Sequence, residues 1–430
     1  MTRAAVLAVA LALAFAVAGA RATSGQLRED WHGVLDQHPN IQYRTHDVTD
    51  RIAGLQHALA DGSRTLARDG RTGYLRGLLD ALDLPVESQL LVFSKTGVQR
   101  AFTGPHNPRA LYFNKSVVVG YIPGAPLIEI ASHDPQQGIV FYTLDQSASA
   151  PSFTRATMCL TCHVSASTLD VPGLIARSNA VGDDGMVLPQ LGSNDVNHQT
   201  PHPDRWGGWF VTFETLSGYL QRAHAGNITF SPGGVTSNQV LVDWLDSAPE
   251  MRGYLSPLSD VVALLVFDHQ ARAINLLTRL NWEARVVAAG GRASTADGTL
   301  RPLINELADY LLFANEAPPS IALTPRPGFA ERLAAGVPKD RRGRSCAELD
   351  LVDRMLRYPC SYMVYSPAFD ALTTDVRQSV YQRMLDTLSR RDPRDERSTG
   401  FLENRRAVLD ILRDTKPDFA AAHATDLRDR

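Results

Sequence analysis

Two stretches near the start of the chain carry apolar residues at helical spacing. Over 48–66, Ile52, Leu55, Leu59 and Leu66 fall roughly on one face, and over 74–84, Leu75, Leu78, Leu79 and Leu82 repeat the pattern before Pro85 stops it. Residues 23–85 are therefore expected to be helical. The pattern then changes to short β-branched and aromatic runs at 89–94, 110–114, 116–121, 126–131 and 138–144. Turn residues separate the later ones: Asn114-Lys115, Pro123-Gly124 and Asp134-Pro135-Gln136-Gln137-Gly138. Connections this short predict an antiparallel meander. Residues 164–205 are irregular and rich in Asn, Asp, Gly and Pro, and a loop of that length is usually functional or wraps something. The run 205–211 closes it as a strand.

A long helix is expected from Ser256 as N-cap, with Pro257 at the first helical position and Asp260 in the first turn, to about Arg285. Its first half, 261–267, is apolar on nearly all sides and belongs in a core. Amphipathic helices follow at 303–314, 376–390 and 403–414, and the Pro- and Ala-rich stretch 318–338 reads as a linker. The class is α+β: an antiparallel β meander, then a segment whose Cys159-x-x-Cys162-His163 is a haem-attachment signature, then a helical C-terminal part. Four regions result: a signal peptide at 1–22, a helical and β-meander region at 23–150, a haem c region at 151–300 and a helical region at 301–430.

The first region follows from the N-terminus. Met1-Thr2-Arg3 precedes an apolar run over 4–20, and Ala20-Arg21-Ala22 is a small-residue cleavage site, so a secretory signal with cleavage before Thr23 is expected, and with it a periplasmic location. A membrane anchor is the alternative. No later stretch reads as a bilayer span. A chain of 430 residues is too long for one small core, so two or three subdomains are expected. Its formal charge is −3, and loss of Arg3 and Arg21 makes it −5. That balance gives no reason to propose nucleic acid as a partner.

The chemistry concentrates in Cys159-Leu160-Thr161-Cys162-His163. Two cysteines with two residues between them and a histidine after is the attachment signature of one covalent haem c. Each thiol adds to one haem vinyl group as a thioether, and His163 falls where an imidazole nitrogen binds iron as the proximal ligand. A thioredoxin-type redox pair, a structural zinc site and a plain Cys159–Cys162 disulfide are the competing readings.

The other iron face decides function, since a sixth protein ligand favours electron transfer and an open face favours small-ligand chemistry. His269 lies on an apolar helical stripe with Val262, Leu265, Ala273, Leu276 and Leu280, where an imidazole must have a partner. It is placed first as metal ligand, ahead of His198 in the long loop; a carbonyl or carboxylate is the bland partner. His224, Met186 and Met251 are weaker candidates. Arg177 and Arg205 flank the loop and are the choices for binding the haem propionates, with surface salt bridges as the alternative. Trp206 and Trp209 pack either on the porphyrin or in the core. Asp183-Asp184-Gly185 and Asn194-Asp195 do not fit a calcium loop, and no phosphate loop or Gly-x-Ser-x-Gly nucleophile is present. Cys346 and Cys360 are the remaining cysteines; an oxidising compartment favours a bridge between them, and two buried thiols are the alternative.

Val92-Phe93-Ser94-Lys95-Thr96, the run 108–114, the haem motif, Arg205-Trp206-Gly207-Gly208-Trp209, Asp268-His269-Gln270 and Tyr358-Pro359-Cys360-Ser361-Tyr362 together carry a resemblance. The chain resembles a group of large, secreted, single-haem c-type cytochromes of bacteria over most of its length. The resemblance implies haem and export and carries no substrate. Three functions follow as expectations: electron transfer with a redox partner protein, a haem enzyme acting on peroxide or a small substrate, and a haem sensor or scaffold. A simple carrier needs only about a hundred residues around one haem, so the extra length points to a pocket or docking surface.

Overall fold

Asp50 ties the first helix to the sheet. Its carboxylate caps α1 (Arg51–Ala60) by accepting the Ile52 amide at 2.8 Å and accepts the Tyr142 hydroxyl at 2.6 Å. Helix α2 (Leu75–Leu82) buries all four leucines of its predicted face, and Asp83 ends it in the left-handed conformation. The structure, a computed structural model, describes residues 35–214, 220–225, 228–231, 234–237, 253–290, 298–319, 322–323, 328–389 and 399–429. The expected signal peptide and Met251 lie outside them.

The five predicted strands form as β1 (Leu90–Val92), β2 (Arg109–Phe113), β3 (Val117–Tyr121), β4 (Leu127–Asp134) and β5 (Gly138–Asp145), followed by β6 (Phe153–Arg155). The Cys159-x-x-Cys162-His163 motif follows as a 3-10 turn and the short helix α3 (Leu160–His163). Then come β7 (Arg177–Asn179) and β8 (Ser193–Asp195), paired as a ribbon, and β9 (Trp209–Glu214) and β10 (Leu220–Ala225). A hairpin of β11 (Ile228–Ser231) and β12 (Gly234–Ser237) precedes α4 (Val261–Ala289). The C-terminal part comprises α5 (Arg301–Leu311), α6 (Phe329–Ala335), α7 (Pro367–Asp370), α8 (Thr374–Ser389), α9 (Thr399–Thr415) and α10 (Pro417–Asp429). The α+β class and the antiparallel meander are as expected.

The main sheet has eight strands in the order β10-β9-β1-β2-β3-β4-β5-β6, every pair antiparallel. It takes β6, β9 and β10 from beyond residue 150, so the boundary expected there is not a structural one. One face, with Leu91, Phe93, Tyr112, Val119, Ile130 and Val140, packs against α1 and α2. The other, with Leu90, Phe113, Val118, Ala131 and Phe141, shares a core with α4 and the C-terminal helices.

Helix α4 begins four residues later than expected. Gln89 Nε2 donates to the carbonyls of Ser256 and Leu258 at 2.7 Å each, Ser259 Oγ accepts the Leu91 amide at 2.8 Å, and the Ser259 carbonyl accepts from Thr212. That backbone serves β1 and β9, so it cannot turn helical. Asp260 is the N-cap instead, accepting from Val262 and Ala263 at 2.9 and 3.0 Å. The reading that no later stretch could span a bilayer also needs correction. Val261–Ala289 is long and apolar enough by length and composition, and 94% of its most apolar window is buried inside the fold. Part of the expected linker over 318–338 is helical, as α6. Cys346 and Cys360, fully buried, face each other as free thiols, the alternative to a bridge.

Candidate haem site

Strand β6 delivers the chain to the Cys159-x-x-Cys162-His163 motif, and the Ala156 amide donates to the Phe141 carbonyl on β5 at 2.8 Å. The turn and α3 form one helical stretch. It sets Cys159, Cys162 and His163 at three- and four-residue spacing, so both sulfurs and the imidazole project from one side. Cys162 is exposed, Cys159 half-buried, and both are free thiols. Burial pushes the Cys159 thiol up to about 11, and the charge of Glu129 adds to this. A redox-active Cys-x-x-Cys wants the opposite, a thiolate favoured near neutral pH, so this turn is poorly suited to dithiol exchange.

His163 packs on Phe141 with ring centroids 4.7 Å apart. Burial holds it below the usual histidine range, so the ring is neutral near pH 7. Its Nδ1 donates to the Gly173 carbonyl at 2.8 Å, and Nε2 has no hydrogen-bond partner among the described residues. A neutral imidazole held by Nδ1–H to a carbonyl with Nε2 open is the arrangement that binds a metal through Nε2.

Helix α4 fixes that carbonyl. Asn275 accepts the Leu174 amide at 2.9 Å and donates to the Leu174 carbonyl at 2.8 Å, while Arg279 donates to the Leu169 carbonyl at 2.8 Å. A Cβ on Gly173 would sit 2.8 Å from Asn275 Cγ, so only glycine fits there. Thr168 Oγ1 donates to the His163 carbonyl at 3.2 Å. The first part of the long loop, residues 168–174, is thus a pinned support for His163.

His198 and His269 come together, but with each other. Their Nδ1 atoms lie 2.7 Å apart, and His269 Nε2 lies 2.6 Å from Ser361 Oγ. One ring must donate and the other accept. Tyr310, Phe313 and Tyr362 surround the His269 ring, and none belongs to the haem segment. The haem segment meets α4 at Asn275, on a different side of that helix. The expectation that His269, or failing it His198, supplies the sixth iron ligand is therefore corrected. The apolar stripe gave the right burial; the partner is a second histidine 71 residues away.

Arg205 is corrected too. It is 1% exposed, donates to the carbonyls of Thr200 and His198 at 2.7 and 3.1 Å, and faces Asp268 at 3.7 Å. It belongs to this buried cluster and leaves nothing for a propionate. Arg177 does lie beside His163, whose pKa its charge lowers, but it pairs with Asp195 at 2.8 Å and donates to Ser167. Trp209 Nε1 donates to the Arg177 carbonyl, and Trp206 Nε1 to Asp268, so both indoles are core groups. Trp206 has φ +64°, and a Cβ on Gly207 would lie 2.5 Å from the Asn179 carbonyl oxygen, which explains the glycine there. His224 lies in β10 opposite Phe210. Met186 is 46% exposed on a loop tip. Asp184 pairs with Lys95 at 3.5 Å. Among the described residues, no three His, Cys, Asp or Glu side chains converge on a metal site.

Sequence reasoning missed Arg109 and Glu129. Both lie on the sheet face that carries Phe141, and both charges act on His163. The thiols, the open Nε2 and a buried guanidinium nitrogen of Arg109 that lacks a hydrogen-bond acceptor fit a covalent haem at this turn. No known protein family, curated protein or solved structure matches the chain.

The buried histidines make stability pH-dependent. Burial lowers His133 and His202 to about 4 and His198 to about 3, and holds His269 well below the usual histidine range. A depressed folded pKa gives stability that is present above the unfolded value of about 6.5 and lost as pH falls through the folded value. Burial raises Asp268 and Glu316 to about 7, which acts oppositely. Four groups outweigh two, so stability should fall by about 2–3 kcal/mol per pH unit between pH 6 and 5. The urea midpoint should be lower at pH 5 than at pH 7; a higher one would contradict the burial of these rings.

Proposed function

We infer that this chain is an exported c-type haem protein that carries single electrons to or from a redox partner protein. The observation behind the reading is His163, neutral, held by Nδ1 and open at Nε2, on the same helical turn as two free thiols. When bound, haem supplies a one-electron iron couple. The chain's own residues then have distinct tasks. Cys159 and Cys162 tether the ring covalently. His163 ligates iron, and the Gly173 carbonyl fixes its orientation and tautomer. Met158, 61% exposed, and the exposed Cys162 put the attachment turn at the surface, where a partner could approach. The signal-like N-terminus and the resemblance to secreted single-haem cytochromes support an exported, periplasmic protein.

A second reading, a haem enzyme or sensor with an open distal face, draws on one observation. The two histidines best placed by sequence to close that face are bound to each other.

The test is the absorption spectrum of the purified protein, oxidised and reduced, with and without carbon monoxide. Haem that stays on the chain through acid–acetone extraction is the expected result. A reduced spectrum unmoved by carbon monoxide supports electron transfer; a carbon monoxide adduct moves the weight to the second reading. A wild-type chain without covalent haem would refute both.

A further inference from the structure

The inner face of the sheet runs in cross-strand rows. Register places Leu111, Gly120, Glu129 and Thr143 in one row, and Phe113, Val118, Ala131 and Phe141 in the next. His163 packs against Phe141 with the rings tilted at 50°, so the row of Glu129 lies one step along the strands from the imidazole. Gly120 offers no side chain in that row, and the stem of Arg109 lies across it: a Cβ there would be 3.6 Å from Arg109 Cδ.

Arg109 is held from behind. Its Nη2 donates to the Thr96 carbonyl at 2.6 Å, and Gly97, at φ +85°, has no room for a Cβ against the guanidinium. Its Nε is buried and has no hydrogen-bond acceptor; Glu129 at 3.7 Å forms an ion pair with it but is too far for a hydrogen bond. Glu129 is oriented by Gln99, which donates at 3.2 Å. A buried donor without an acceptor costs on the order of 1–3 kcal/mol, and a propionate oxygen would supply the acceptor. The charges of both residues reach His163, and that of Glu129 reaches Cys159.

We propose that Arg109 and Glu129 form the charged wall of the haem seat, with Arg109 the propionate-binding residue, and that this pair sets the reduction potential. The proposal rests on the haem reading above. Reduction adds one electron to iron and breaks no bond, so the centre loses one unit of positive charge. A nearby cation favours the reduced form and a nearby anion the oxidised form.

The experiment is a spectroelectrochemical titration of the haem-loaded protein, with dithionite as reductant and ferricyanide as oxidant. Arg109→Gln should lower the midpoint potential and Glu129→Gln should raise it. Arg109→Lys, which keeps the charge, should stay nearer the wild type. Shifts of opposite sign are not what general disturbance of the fold would give. Unchanged potentials, or shifts of the same sign in both glutamine variants, would overturn the proposal while leaving covalent haem in place. Absence of covalent haem from the wild type, read from extraction before any titration, is the separate failure of the underlying reading, and the proposal falls with it. If Arg109→Gln does not fold, Glu129→Gln and Arg109→Lys decide by the same signs.

Discussion

Alanine at both Cys159 and Cys162 should abolish covalent haem, and alanine at either one should reduce it sharply. Each thiol forms one thioether, so the double variant has no bond left that survives denaturation. The measurement is haem staining of the denatured chain on a gel, with acid–acetone extraction as the quantitative form. The fold itself should change little. Cys162 is exposed and Cys159 only half-buried, so the cost per substitution should stay near about 0.5–1 kcal/mol in the chain without haem. That separates lost attachment from lost folding. Replacing His163 should behave differently: both thioethers remain possible, but iron loses the nitrogen that Gly173 orients, and the spectrum should change while the stain persists. If the double alanine variant stained like the wild type, the assignment of these thiols would be wrong.

What the sequence revealed divides by the distance over which the chemistry acts. The meander was legible because period-two runs and turns such as Pro123-Gly124 are local signals, and β2 to β5 form almost where those signals put them. The motif was legible because five adjacent residues carry it. The placement of β9 beside β1 was not, since the pair Leu91 and Phe210 is set by register across more than a hundred residues. The start of α4 failed for the same reason: Ser256 and Pro257 are a good local signal, overridden by the side chain of Gln89. His269 is the instructive case. Its stripe predicted burial and the need for a partner, and both are met, but an apolar stripe cannot say whether the partner is iron or another imidazole. Arg109 could have been found by laying the predicted turns into a register, because that puts Leu111, Gly120 and Glu129 in one row beside Phe141.

The same long-range network underlies the largest expected loss of stability. Asp268 and Arg205 are each about 98% buried at the side chain, 3.7 Å apart, and Asp268 Oδ2 also accepts from Trp206 Nε1 at 2.9 Å. Burial lowers the Arg205 pKa and raises that of Asp268 to about 7, so desolvation outweighs their attraction in both. Asp268→Leu would strand a buried guanidinium and an indole N–H, and the expected cost is about 3–5 kcal/mol. Asp268→Asn keeps an acceptor for Trp206 and should cost less. The raised pKa adds a signature. Its contribution is fully present below the unfolded value of about 4 and is lost as pH rises through 7, so Asp268→Asn should remove that part of the pH dependence. Combining Asp268→Leu with Arg205→Met should recover much of the loss, because no uncompensated charge is left inside. Urea unfolding of the four chains, wild type, two singles and the double, measures the coupling. Strict additivity of the two single losses would show that the pair does not act as a unit, and that His198 and Thr200 alone hold Arg205 in place through their carbonyls.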